Sequence, residues 1–159
     1  MAKATTWIFL SGLIWTLVGF FLLSKGLTLV VYSLQADYTP FLAYFSSKVS
    51  SKESAVLLLI CLALFIGYIK GRFILLKTVK RVVKRILSLT PPIKIKEVYS
   101  RSYLILLLSM TFIGVSVKFL PIAQDIRGFI DLIIGAALLN GSLLYYRFAL
   151  ACRKVEQKS

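Results

Sequence analysis

The chain has 159 residues, 58% of them apolar, with a formal net charge of +14 and a mean hydropathy of +0.85. Soluble domains are about 45–50% apolar, and a single domain has no interior large enough to hide the excess, so the composition excludes an ordinary soluble fold and points to an integral membrane protein. Histidine is absent and the only cysteines are Cys61 and Cys152, which excludes histidine-held metals and haem, the usual neutral-pH general base and any disulfide or zinc framework.

Four apolar stretches follow in chain order. The first runs from Thr6 to Leu23, a span of about 6–25, and its apolar character resumes past Lys25 as far as Tyr32. Lys3 ahead of an apolar run resembles a secretory signal. The run exceeds the roughly 7–15 residues of a signal core, however, and no A-x-A site follows, so an uncleaved first span is expected. Residues 35–53 then form a loop mixing aromatics with serines, with a short interfacial helix expected around Phe41 to Phe45. The second stretch, "SAVLLLICLALFIGYI", begins at Ser54. It reaches the roughly 20 residues of a membrane span only by continuing to Leu76, with Lys70 and Arg72 snorkelling to headgroups.

Beyond that span lies "LLKTVKRVVKRIL", residues 75–87. Leu75, Leu76, Val79, Val82, Val83, Ile86 and Leu87 recur at three- and four-residue steps, and Lys77, Lys80, Arg81, Lys84 and Arg85 fill the other side. This is an amphipathic helix with a cationic face. Gly71 offers a place to bend and "TPP" at 90–92 ends the helix. The expected resting place is along the inner leaflet, apolar side down and cations toward anionic lipid. The blander alternative is a topology signal alone. Nucleic acid is not expected as a partner, because the cations lack an interleaved stacking platform.

The third and fourth stretches are spans of about 103–120 and 126–148. Residues 70–101 hold ten Lys/Arg and one acid, Glu97, and the tail from 149 adds Arg153, Lys154 and Lys158. The other two loops are poor in cations. The positive-inside rule therefore places both termini and the basic segment 77–101 in the cytoplasm. The expected fold is a single all-α membrane domain over 1–159. Its four transmembrane helices form two antiparallel hairpins, and a basic extension continues the second helix. A faint likeness of "IKGRFILLK" (69–77) to "LNGSLLYYR" (139–147) raises a 2+2 repeat, though composition alone makes such matches common.

Ionisable groups within spans are costly, which makes them candidate sites. Asp131 and Lys118 flank a short turn and are expected to pair, as an outer-mouth contact for substrate or ion or as a structural fastener of the hairpin. Asn140, mid-span, needs a partner in a dry setting and is expected to find it across helices, or in a substrate. Lys70 and Arg72, opposite Arg147, form a candidate phosphate or lipid-headgroup cluster beside Lys77, Lys80, Arg81, Lys84 and Arg85. Gly67 and Gly71, and Ala137 and Gly141, are four apart and suit close helix packing within the bundle or between copies.

No catalytic constellation, metal cluster or nucleotide-binding loop is present, so neither a cofactor nor an enzymatic activity is expected. The leading expectation is transport or permeation of a small solute or ion by a homo-oligomer in a plasma membrane, most simply a bacterial inner membrane. The alternative is a lipid-binding or interaction protein working through its basic surface, and a membrane-embedded enzyme comes third.

Overall fold

The computed structural model describes residues 4–49, 51–88 and 122–156. Every regular element among them is helical: α1 (Ala4–Tyr32), α2 (Pro40–Ser46), α3 (Lys52–Lys70), a π-helical turn (Gly71–Leu75), α4 (Leu76–Leu87) and α5 (Gln124–Glu156), with a 3-10 turn at Ser33–Gln35 after α1. Three rods, at Thr5–Gln35, Lys52–Leu87 and Gln124–Lys154, are long and apolar enough to cross a membrane. The expected third span, 103–120, lies outside the described residues, as do the prolines of "TPP".

One expectation about a helix end changes. The first helix does not stop near Lys25. Nothing in "LLSKGLTLVVY" breaks a helix strongly, so α1 runs on to Tyr32 and carries Lys25 within it rather than in a loop. The second rod stays helical through Gly71, where the sequence offered a place to bend. Lys70 and Gly71 keep right-handed helical angles, and one π turn absorbs the change before α4 continues the rod. The expected short helix near Phe41 is present as α2, with Pro40 in its first turn, where a missing N–H costs nothing.

α5 is the central helix: 61% of its most apolar window is buried, against 28% for α1 and 33% for the α3–α4 rod. Glycines set how the others meet it. Gly26 lies against Gly128 and Leu132, Gly19 against Gly135 and Leu138, and Gly12 against Tyr145 and Tyr146. Rising numbers on α1 meet falling numbers on α5, so the two are antiparallel. On another side, Gly67 meets Ile133 and Ala136, Gly71 meets Ala137 and Asn140, and Leu75 meets Gly141. α3 therefore runs in the same direction as α5. The Gly67/Gly71 pair packs within this chain, on the small residues Ala136 and Ala137.

The α1–α5 contact is backbone against backbone. A Cβ at Gly26 would stand 2.7 Å from Leu132 N, and one at Gly135 would stand 2.7 Å from Leu23 N. Without a hydrophobic force between helices in lipid, such close approach is what gives dispersion enough contacts to hold them.

Two apolar clusters fill the ends. One joins Ile8, Trp15, Leu138, Tyr145 and Ala149 to Leu75, Val79, Val82, Val83 and Ile86. The other joins Val30, Leu42, Ala55, Leu59, Ala63 and Leu132. Tyr145 is fully buried, with its ring edge-on to Trp15 at 5.5 Å. Cys61 faces outward. Outward-facing Leu17, Phe20 and Phe21 on α1 and Leu57, Phe65 and Phe73 on the second rod are each more than 60% exposed. A belt of that kind suits hydrocarbon and would be an aggregation hazard in water.

Candidate functional site

Three polar features stand out against this apolar frame. The first is an ion pair between α1 and α5. Lys25 Nζ lies 2.8 Å from Asp131 Oδ2, with the Asp131 side chain 2% exposed and that of Lys25 36%. The two meet as charges rather than as an aligned hydrogen bond. Asp131 is six residues along α5 from Asp125, about 9 Å deeper into the bundle. A lone carboxylate there would be strongly disfavoured, and an adjacent ammonium offsets much of that cost. The expected partner, Lys118, lies outside the described residues. Lys25 holds the place because α1 continues past it and antiparallel packing brings it level with Asp131. The sequence signal was the apolar run resuming after Lys25.

The second feature is Asp125, which is fully buried at the start of α5. Its Oδ2 accepts from Phe41 N at 2.8 Å and Leu42 N at 3.0 Å, and its Oδ1 accepts from Ile126 N at 2.8 Å. The first amides of a helix have no partner inside it, so this one carboxylate caps α2 and opens α5 together. Phe41 also packs on Phe129, with ring centroids 5.5 Å apart. α2 is thus fastened to α5 by charge at its start and by rings along its side. The cap on α2 is not legible in the sequence, because 84 residues separate the partners.

Among the described residues Asn140 bonds to no other helix. Its Nδ2 donates to Ala136 O, 2.9 Å away on its own helix, which uses one of the amide's two N–H donors. Its nine-residue separation from Asp131 puts the two on opposite sides of α5. Asp131 faces α1, and the Asn140 Cβ lies where a Cβ at Gly71 would meet it.

The third feature is the cationic face of the second rod. Lys77, Lys80, Arg81, Lys84 and Arg85 are all exposed, and Val79, Val82, Val83 and Ile86 on the reverse are all buried. At about 100° per residue the five cations occupy an arc of roughly 140°. The amphipathic period reads as expected, but the apolar side is taken up by α1 and α5 rather than left free. Leu87 departs from the pattern and is exposed.

Lys70 and Arg72 are also exposed, and Arg72 Nη1 donates to Tyr68 OH at 3.0 Å. They do not stand level with Arg147. Gly71 packs beside Asn140, and Arg147 is seven residues farther along α5, about 10 Å away along the axis. That places Arg147 nearer the level of Lys80 and Arg81. No group of three potential metal-ligating residues occurs among the described residues. Comparison of the chain with protein-family models, with curated proteins and with solved structures finds no match.

Proposed function

We propose that this is a multi-pass integral membrane protein whose working surface is the cationic face of α4, presented to an anionic partner on the cytoplasmic side. The observation that carries the reading is the two-sidedness of α4. Its apolar residues are buried in the bundle, so the face offered outward consists of lysine and arginine. The helix is a fixed platform rather than a free amphipathic peptide. Leu87 closes α4 near one end of the α1–α5 pair and Gln124 opens α5 near the other, which supports a fourth crossing between them. With the weight of positive charge at the α4 end, both termini belong to the cytoplasm.

The test uses the full chain in neutral phosphatidylcholine nanodiscs, with a soluble polyglutamate peptide and phosphatidylglycerol vesicles as probes. Binding of at least one probe is expected, weakening at least tenfold from 50 to 500 mM salt because the contacts are screened charges. If the chain binds neither probe at low salt, the reading is wrong.

A second reading, permeation of a small ion or solute, draws on the Lys25–Asp131 pair inside the apolar belt. Since α1 and α5 touch backbone to backbone, the path would lie between copies in an oligomer. Proteoliposome flux that responds to Asp131→Asn without loss of folded protein would favour it.

A further inference from the structure

We infer that the resident partner of this cationic face is anionic phospholipid, held by its phosphates, rather than a soluble acidic protein or a nucleic acid. The inference rests on the reading of α4 just given. Its added argument is depth.

Along the second rod the exposed apolar residues end with Phe73 and Ile74, and every exposed residue between Ile74 and Leu87 is Lys or Arg. At 1.5 Å per residue, Lys77 stands about 4 Å beyond Ile74, Arg81 about 10 Å and Arg85 about 16 Å. The headgroup layer beyond the hydrocarbon is about 5–8 Å thick on each side. Lys77 thus lies at phosphate depth. Lys80 and Arg81 reach back to it along side chains of about 6 Å, and Lys84 and Arg85 stand just beyond it. At Lys77, Lys80 and Arg81 a soluble polyanion would have to displace phosphates already alongside.

The lower rim of the face is built for the same layer. Lys70 and Arg72 are exposed just inside the end of the apolar belt. The Arg72 guanidinium is tied to the Tyr68 hydroxyl at 3.0 Å, which pairs an interface-favouring ring with a donor fork whose remaining N–H groups suit phosphate oxygens. The sequence carries no acid between Glu53 and Glu97.

The mode of binding also follows. An interfacial amphipathic helix inserts its apolar side and responds to curvature and acyl packing. Here that side is occupied by Ile8, Trp15, Tyr145 and Ala149. Selection therefore acts through headgroup charge alone and is lost to salt.

The experiment equilibrates the full chain in detergent micelles holding phosphatidylcholine and phosphatidylglycerol at four to one, and measures the lipid ratio that co-purifies. Enrichment of phosphatidylglycerol by threefold or more is expected at 50 mM KCl, falling at least by half at 500 mM. It should disappear in the combined variant Lys77→Gln, Lys80→Gln, Arg81→Gln, Lys84→Gln and Arg85→Gln, whose exposed side chains leave the buried face intact. If that variant does not fold, the wild-type ratio and its salt response still decide. A wild-type ratio equal to the bulk, or enrichment that persists in the folded variant, overturns the assignment. Polyglutamate binding without phosphatidylglycerol enrichment sinks the lipid assignment while sparing the cationic-face reading. Binding of neither sinks both.

Discussion

Lys25 and Asp131 form a pair in which each member makes the other tolerable. Asp131→Leu leaves an ammonium without its counter-charge in an apolar setting, and Lys25→Leu leaves a buried carboxylate. Each single change should lower thermal or SDS-unfolding stability by about 2 kcal/mol, below the about 3–5 kcal/mol of fully buried pairs because Lys25 keeps partial exposure. The double change should cost less than either single one, since no orphan charge remains; additive losses would refute the pairing. Asp125→Ala removes the cap shared by two helices, at an expected cost of about 1–2 kcal/mol. Hydrogen exchange should quicken at the Phe41 and Leu42 amides while the amides of Gly19 and Gly135 hold. The sequence flagged Asp131 as costly and named Lys118, which lies outside the described residues, as its partner; Lys25 was passed over. A lysine inside an apolar run looks like the end of a span unless the resumed run after it is given weight. Asn140 was flagged for the same reason, and its solution, a bond to the carbonyl four residues back, is invisible until a helix face is fixed.

At the scale of the element, the glycines of α1 and α5 have graded tolerances. At Gly26 and Gly135 the nearest atom to an added Cβ is a backbone nitrogen at 2.7 Å, which cannot step aside, whereas at Gly19 the nearest atoms are at 3.1 Å. Alanine at Gly26 or Gly135 should therefore separate the helices and lower the unfolding midpoint clearly. Gly19→Ala should come near neutral, the strain offset by alanine's helix preference of up to about 1 kcal/mol. Equal losses at all three sites would show that the seam is not in direct backbone contact. The four-residue glycine step at Gly67 and Gly71 was legible as a packing face. The seven-residue step of Gly12, Gly19 and Gly26 was not singled out, because it repeats every two turns rather than every one. The alternation in α4 was read correctly, yet periodicity says only that a face is apolar, never whether protein or lipid covers it.

For the whole molecule, helix content and three of the long apolar rods were legible, because length and composition alone decide them. Helix directions had to come from which glycine meets which backbone. α1 opposing α5, with α3 parallel to α5, sets the α2 end and the α4 end of the bundle apart. After Cys61→Ala and Cys152→Ala, cysteines placed at Tyr38 and Lys84 should react with an impermeant maleimide from opposite sides of a sealed vesicle. Labelling of both from one side would dismiss the arrangement of spans. The seam itself carries a last consequence. Small residues recur every seven positions on both partners, at Gly12, Gly19, Gly26 and Ser33 on one and Gly128, Gly135, Ser142 and Ala149 on the other. Sliding the two rods by one such repeat, about 10.5 Å, would again set small against small. Smoothness makes close contact available at more than one offset, like a ruler with identical marks. The slipped arrangement would strand Asp131 away from Lys25 and part Trp15 from Tyr145, so these couples act as notches that favour the native alignment.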